Sequence, residues 1–277
     1  MGFAIPVLNY HSTNISGNGY GTNDHVALRT DLTLLSDAGW TVRPLHELVE
    51  TAVLARSAPA RKTAALSFDD GTDFDFVDLV HPAFGLQRSM CNVLRDHRDA
   101  AGARQPHLHA TAFVIVSPDA RAELDRKSMI GAHWWNDDWW RPATATGLVG
   151  IANHSWDHNH PLASPPGSSR RARGTFMSVD EFTVAEEEIA MAAEYIRRTA
   201  ANASQRLFAY PYGESNRYLV DEYFPANAAR IGVDAAFTTG GEPVTEASSR
   251  WCLPRYTCGQ HWTTPEELRA LLRDIAR

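Results

Sequence analysis

Cysteine is scarce in this sequence, which has only Cys91, Cys252 and Cys258 among 277 residues. They are too few and too scattered for a disulfide framework, and their spacing fits neither a zinc ribbon nor a redox pair. We therefore expect reduced, buried thiols in a reducing compartment. A bridge between Cys252 and Cys258 is the alternative for an exported protein.

Long apolar runs and basic tracts are also absent. No stretch approaches the roughly 20 apolar residues that a membrane span needs. The apolar start ends at Asn9 and carries no basic residue, so it does not resemble a signal peptide and we expect a cytoplasmic protein. A secreted or envelope-associated protein whose export signal has been removed is the alternative. The net charge of −7 argues against nucleic acid or anionic membranes as partners and is compatible with a carbohydrate substrate.

The sequence does contain enough apolar residues, 44%, to bury a large core in a chain of this length. Strand-like and helix-like segments alternate, which predicts an α/β fold with a mainly parallel sheet and outer helices. We expect one domain over residues 1–277, with loop insertions at 74–109 and 164–174. Capping boxes predict helices that begin after Ser178 and Thr264. The predicted strands are 4–10, 41–45, 63–68, 111–116, 148–153, 206–210, 235–239 and 251–256.

Two adjacent carboxylates, Asp69 and Asp70, follow an apolar strand and precede Gly71. Neighbouring strand residues point to opposite sides, so the two carboxylates cannot do the same job. One could ligate a metal while the other takes a proton from water. The same residues are also common in ordinary turns, so the motif needs partners elsewhere in the chain to indicate a site.

His154 and His158 are candidate partners for Asp70. Histidines four apart share one face of a helical turn and can close on a single cation. A carboxylate with two imidazoles makes a three-ligand site with an open position, as catalytic zinc requires. A third segment, residues 207–213 (LFAYPYG), is an apolar strand that ends in a rigid turn at Pro211.

In this order, the three segments resemble the polysaccharide deacetylase family, also called the NodB-homology or carbohydrate esterase family 4 group. The resemblance implies a distorted, incomplete (β/α) barrel and one divalent metal ion, zinc first, with cobalt or nickel as alternatives. It implies a general base at Asp69 and an oxyanion contact from the backbone N–H of Tyr212. The metal ligands that it implies are Asp70, His154 and His158.

The sequence departs from the commonest family pattern at Ala209, where many members carry an arginine that orients the base. This segment is instead similar to the poly-N-acetylglucosamine deacetylase branch, in which the motif order is circularly permuted and an N-terminal Tyr-His provides the general acid. That similarity implies His11 as the acid and Arg255 as a substitute for the missing arginine. His261 is the alternative acid, because it follows the last predicted strand.

Four tryptophans lie within residues 134–140. Indole faces suit the apolar side of a sugar ring, so Trp135 and Trp139 are candidate substrate contacts. The alternative, which the pattern slightly favours, is a segment that seals the barrel. Trp156 lies between the candidate ligand histidines, where it could contact substrate or orient the metal ligands. Pro211 and His261 are the remaining candidate substrate contacts.

These residues predict a metal-dependent hydrolase, and the family resemblance implies that it removes N-acetyl groups from an N-acetylglucosamine-type polymer or oligomer. Two alternatives stay open. The same site could hydrolyse a small non-sugar amide or imide, or the chain could be a catalytically inactive carbohydrate-binding protein on the same fold. Acetate release from N-acetylglucosamine oligomers that stops in Asp69→Asn would distinguish the deacetylase hypothesis from the two alternatives.

Overall fold

A computed structural model gives the three-dimensional structure of the chain and describes residues 2–164, 171–200 and 204–277. Parallel strands form its main sheet, and two small antiparallel pairs lie beside that sheet. The strands are β1 (Ala4–Ile5), β2 (Val7–His11), β3 (Thr41–Val42), β4 (Thr63–Asp69), β5 (Leu79–His81), β6 (Gly85–Gln87), β7 (Ala110–Val114), β8 (Val149–Asn153), β9 (Ser204–Ala209), β10 (Ala235–Phe237), β11 (Val244–Thr245) and β12 (Tyr256–Thr257).

Helices connect most of the parallel strands and pack apolar faces on the sheet. They are α1 (Asp24–Asp37), α2 (Leu45–Leu48), α3 (Met90–Ala101), α4 (Pro118–Ser128), α5 (Trp140–Ala145), α6 (Phe182–Ala185), α7 (Met191–Thr199), α8 (Phe224–Ile231) and α9 (Pro265–Ile275). Wider, π-type turns extend α2 over Val49–Leu54 and precede α7 and α8 over Glu186–Ala190 and Leu219–Tyr223. None of the helices in the described part of the chain is long and apolar enough to cross a lipid bilayer.

The strand order of the main sheet is β10-β9-β8-β7-β4-β2-β12, with β3 beside β4, and all these neighbours are parallel. The final segment lies along both edges of this curled sheet. Thr238 N–H donates to Leu253 O (2.8 Å) at the β10 edge, and Cys258 N–H donates to Asn9 O (2.9 Å) at the β2 edge. The sparse bonding at this seam confirms the distorted, incomplete (β/α) barrel expected from the sequence.

Side chains along each strand point alternately to the two faces of the sheet, and each face carries its own apolar layer. Leu66 and Phe68 of β4 belong to the cluster that the outer helices cover. Ala65 points the other way and joins Val7 and Phe113 in the barrel interior. Because side chains alternate with a period of two, the residues that continue the Ala65 face are Ser67 and then Asp69. The apolar interior therefore ends in a polar layer at the carboxyl ends of the strands.

Most predicted strands are present, with differences at their ends. Predicted strand 111–116 ends at Val114, because Ile115 N–H turns to bond Asp70 O (3.0 Å). Of predicted strand 251–256, only the end pairs with β2, while Leu253 bonds to β10. The stretch 74–109 contains the β5–β6 hairpin and α3. Of the predicted loop 164–174, residues 165–170 lie outside the described residues.

One predicted helix start is confirmed and the other is wrong. Thr264 caps α9, since its side chain accepts from Glu267 N–H. The capping box predicted at Ser178 does not form, because Ser178 Oγ donates instead to Ala172 O (2.7 Å) and the helix begins at Phe182. A tertiary contact with the preceding loop has replaced the local cap.

Candidate metal centre

The segments singled out in the sequence end at one edge of the sheet. β2, β4, β8 and β9 end at His11, Asp69, Asn153 and Ala209 respectively. Because neighbouring strands in the sheet are parallel, their carboxyl ends meet at one face, where (β/α) barrels collect their active sites. The loops that follow these strands carry the candidate residues.

Asp70, His154 and His158 converge at this face. Asp70 Oδ1 lies 3.7 Å from His154 Nε2 and 3.8 Å from His158 Nε2. The ligand atoms of all three lie within 4.8 Å of one another, and no other such group of His, Cys, Asp and Glu is found among the described residues. Donors around a tetrahedral zinc ion are about 3.4 Å apart, so the three fit one ion after a small contraction.

A loop, and not the predicted helical turn, brings the two histidines together. Ser155 and His158 have left-handed φ angles of 71° and 63°. Asn153 Oδ1 accepts from Ser155 N–H (2.8 Å), and Ser155 Oγ accepts from His158 N–H (2.9 Å). These bonds hold the reversed backbone, so that His154 and His158 meet from two sides of a tight loop.

Both imidazoles are prepared for metal binding. His154 Nδ1 bonds to Ala209 O (2.9 Å), which leaves Nε2 with its lone pair towards Asp70. Burial, together with the neighbouring His154 ring, lowers the pKa of His158 well below its usual value. A neutral imidazole is the form that ligates a metal. The donor set of one carboxylate and two imidazoles suits zinc, and also cobalt and nickel.

Asp69 is 3% exposed and is held by an equally buried arginine. Arg255 Nη1 donates to Asp69 Oδ1 (2.7 Å), and Nη2 donates to Oδ2 (2.9 Å). Burial alone would raise the pKa of the Asp69 carboxyl, but the charge and hydrogen bonds of Arg255 outweigh it and hold that pKa well below the usual range. Asp69 is therefore ionised beside the candidate metal ligands.

The structure places the two candidate acids differently. His11 Nε2 lies 3.9 Å from Asp69 Oδ2, and about a quarter of the His11 side chain is exposed. His261 Nδ1 instead accepts from Thr257 N–H (2.8 Å), and its ring packs edge-on against Tyr256. Of the two, His11 is the one in contact range of the carboxylate.

The turn after β9 lies beside the candidate ligands. Tyr212 has a left-handed φ of 60°, and its ring meets the His158 ring edge-on at 4.5 Å. Pro211 is buried, while Tyr212 is 40% exposed. With Asp70, whose φ is 76°, and the two left-handed residues of the histidine loop, four non-glycine residues of this centre adopt a conformation that costs energy. Such strain concentrates at functional sites.

The tryptophan segment seals the fold. Trp135 and Trp139 are 8% and 4% exposed, so neither presents an indole face to a ligand; their assignment as candidate sugar contacts is wrong, and the favoured alternative of core packing is confirmed. Trp135 Nε1 donates to Asp70 O (3.2 Å), which ties this segment to the candidate ligand. Trp156 is partly buried and packs edge-on against Tyr195 of α7, so its indole turns towards the helix layer.

Sequence reasoning missed the charged residues that support the histidine loop. Arg173 pairs with buried Asp157 (2.9 Å), and Arg171 pairs with buried Glu188. It also missed Asn9, whose Nδ2 donates to Asp69 Oδ2 (3.0 Å). A polar residue two positions before His11 in an apolar strand was the available signal, since it shares a face with His11.

Comparisons with known proteins identify a family and several solved structures that share the fold. None of the curated proteins matches the chain, but a family model described as polysaccharide deacetylase matches residues 56–229. The deacetylase PplD of Streptococcus pyogenes, solved in complex with acetate, is 18% identical, with a TM-score of 0.65 over 98% of this chain and 99% of that one. IcaB from Ammonifex degensii is 19% identical, with a TM-score of 0.62 over 100% and 98%. A de-N-acetylase from Aggregatibacter actinomycetemcomitans is 18% identical, with a TM-score of 0.62 over 96% and 99%.

The curled parallel sheet, with a polar centre at its carboxyl edge, places the chain in the (β/α)-barrel class. Since the family model covers more than half of the sequence, the chain belongs to the polysaccharide deacetylase family, a group of hydrolases that act on N-acetyl amide bonds. His11 and Arg255 lie outside the matched residues, one on each side. The match therefore spans the candidate ligands and Asp69 but includes neither His11 nor Arg255.

Proposed function

We propose that this chain is a metal-dependent N-deacetylase that acts on an N-acetylglucosamine-type polymer or oligomer, with residues 1–277 forming one catalytic domain. The observation that carries the proposal is the convergence of Asp70, His154 and His158 beside the ionised carboxylate of Asp69. Two proteins that share the fold are named as a de-N-acetylase and as a deacetylase solved with acetate, which supports the same reaction.

Asp70, His154 and His158 would hold a divalent ion, with zinc the first choice. Bound there, the ion contributes Lewis acidity, which acidifies water and polarises the carbonyl of an N-acetyl group. The chain fixes the ligands in advance through the bond from His154 to Ala209 O and the bond from Trp135 to Asp70 O. Such outer contacts orient ligands and raise metal affinity.

Asp69 takes the proton from the attacking water. Arg255 keeps this carboxylate ionised and fixes its plane, so the base is ready to accept a proton before substrate arrives. As the carbon–nitrogen bond breaks, the departing amine needs a proton. His11 donates it, since its Nε2 lies at the same carboxylate (3.9 Å) and its side chain is partly exposed.

The backbone N–H of Tyr212 stabilises the negative oxygen of the tetrahedral intermediate. The left-handed conformation of Tyr212 at the turn after β9 turns its peptide away from the regular strand, beside the candidate ligands. A fixed backbone donor of this kind stabilises developing charge without reorganisation. Acetate and a free amino sugar are the products.

Arg255 favours an active enzyme over a carbohydrate-binding protein that has lost its activity. The absence of an arginine at Ala209 was the reason to consider the inactive alternative. Arg255 makes two hydrogen bonds to Asp69 from the segment just before β12, so the carboxylate has the partner that a working base needs.

The test is a combined metal and acetate measurement. Protein purified without a chelating column is analysed for metal, then incubated with β-1,4- and β-1,6-linked N-acetylglucosamine oligomers, peptidoglycan fragments and a small cyclic amide. We expect about one divalent ion per chain and acetate release from at least one oligomer. Asp69→Asn should keep the metal and lose activity, whereas Asp70→Asn should lose both.

Two results would contradict the proposal. Turnover of the cyclic amide without acetate release from any oligomer would favour the small-amide alternative. Oligomer binding by metal-loaded protein without any acetate release would favour the binding-protein alternative.

A further inference from the structure

Asn9 lies in a patch of four side chains on two neighbouring parallel strands. In the register of β2 and β4, Asn9 pairs with Ser67, and His11 pairs with Asp69. Residues two apart on a strand point to the same face, so all four side chains face the polar end of the barrel interior. Asn9 is fully buried, and so is Ser67. Neither residue was singled out by any motif.

The Asn9 carboxamide uses both of its ends. Its Oδ1 accepts from Ser67 Oγ (2.8 Å) and from Arg255 Nη1 (3.0 Å), and its Nδ2 donates to Asp69 Oδ2 (3.0 Å). The reverse orientation would set an NH₂ group against the guanidinium and a carbonyl against the carboxylate. Chemistry therefore fixes which end is which. A carboxamide can accept a hydrogen bond from a cation and donate one to an anion at the same time, which neither a carboxylate nor an ammonium group can do.

These contacts define how Asp69 is presented. Arg255 binds both carboxylate oxygens, and its Nε donates to Thr238 O (3.2 Å). Asn9 adds a second donor to Oδ2 alone, which is also the oxygen 3.9 Å from His11 Nε2. A bidentate arginine sets the plane of a carboxylate but treats its two oxygens alike. The Asn9 contact makes them different.

We propose that Asn9 is a positioning residue for the reaction: it holds Asp69 and Arg255 in one fixed arrangement and so directs the carboxylate oxygen that exchanges the proton. The inference rests on the proposed function, in which Asp69 is the base. In the described part of the chain, the side-chain hydrogen bonds of Asn9 go to Ser67, Asp69 and Arg255, none of which is a candidate metal ligand. Loss of Asn9 should slow the chemical step without weakening the binding of substrate or metal.

The test compares Asn9→Leu with Gln105→Leu. Gln105 is an equally buried carboxamide that also uses both ends, to Val42 N–H (2.9 Å) and to Trp40 O (2.8 Å), and it lies outside the polar patch. We expect Asn9→Leu to lower kcat about 10- to 100-fold, with KM and metal content within about twofold of the starting protein. Gln105→Leu should leave kcat within about twofold. Asn9→Ser, which is too short to reach both partners, replaces Asn9→Leu if that variant does not fold.

A second readout does not depend on activity. In metal-free protein labelled with ¹⁵N-arginine, the guanidinium signal of Arg255, assigned with Arg255→Lys, should shift or broaden in the Asn9 variant and stay unchanged in Gln105→Leu. An unchanged kcat in the Asn9 variant would overturn the inference. So would a loss of bound metal in that variant as large as its loss of kcat, or a loss of kcat in Gln105→Leu as large as in the Asn9 variant. If the starting protein releases no acetate from any substrate, the proposed function fails. The role of Asn9 in the reaction fails with it, and the Arg255 signal then tests only whether Asn9 holds Asp69 and Arg255 in one arrangement: a shift supports that arrangement, and no shift overturns it.

Discussion

Arg255 and Asp69 are 186 residues apart in the sequence and are joined by two parallel hydrogen bonds of 2.7 and 2.9 Å. Both side chains are buried, and the Arg255 guanidinium lies 5.2 Å from the centre of the Phe113 ring. The pair is therefore almost entirely withdrawn from water. Removing one partner leaves a buried charge without compensation, which is costly in any protein.

Arg255→Met should lower the free energy of unfolding by about 3–5 kcal/mol, because Asp69 would remain buried without its counter-charge. Denaturant unfolding measures the loss. The matched control is Arg206→Met, which breaks an exposed fork with Asp234 (2.8 and 2.9 Å) and should cost no more than about 1 kcal/mol. Equal losses in the two variants would mean that burial of the Arg255 pair has no energetic consequence.

Gly71→Ala should destabilise the loop that carries Asp70. Gly71 has a φ of 77°, and an added Cβ would lie 2.5 Å from Val114 Cγ1 and 2.9 Å from Val114 Cα. Gly147 has a similar φ of 69° but open space around the added atom, so Gly147→Ala measures the backbone strain alone, about 1–2 kcal/mol. We expect Gly71→Ala to cost more and to reduce bound zinc after dialysis. Full zinc content in Gly71→Ala would contradict this expectation.

Trp135→Phe should weaken metal binding about tenfold, since the hydrogen bond from its indole to Asp70 O is lost. The control is Trp139→Phe, because the buried Trp139 Nε1 has no hydrogen-bond partner among the described residues. Competition with a zinc chelator measures the affinity. Both variants should keep the KM for oligomers, and a raised KM in Trp139→Phe would restore the sugar-stacking hypothesis.

Acid should destabilise the protein through His109. Burial lowers the pKa of His109 from its ordinary value near 6.5 to about 4. Between these values the unfolded chain binds a proton that the folded chain does not, so stability falls as the pH falls from 6.5 to 4, by up to about 3 kcal/mol. The free energy of unfolding, measured with urea at several pH values in this range, should change less with pH in His109→Gln than in the starting protein. His107 is exposed, so His107→Gln should keep the full pH dependence of stability. The same full pH dependence in His109→Gln would contradict the role given to His109.

The convergence of the three candidate metal ligands was predictable in part, because each lies in a short motif whose spacing has a chemical meaning. How they converge was not predictable. The sequence favoured a helical turn between His154 and His158, but left-handed Ser155 and His158 form a loop. These residues are not glycine, and the hydrogen bonds that hold them come from Asn153 and Ser155. A local pattern does not reveal such backbone reversals.

Residues near Asp69 show the same division. Arg255 was named through family resemblance, and no local pattern pointed to it. Asn9 was missed because its role depends on which strands are neighbours. Only the pairing of β2 with β4 sets Asn9 against Ser67, and that pairing joins segments about 60 residues apart. The role of the tryptophan segment was predicted in part, since the sequence slightly favoured its burial over sugar binding.

The contact between Asp69 and Arg255 has a consequence for biosynthesis. A nascent chain that has emerged as far as residue 229 contains all three candidate ligands and Asp69, yet it lacks the guanidinium that neutralises this carboxylate. Until residue 255 leaves the ribosome, burial of Asp69 is unfavourable. The centre around Asp69 should therefore assemble only after residue 255 has emerged from the ribosome.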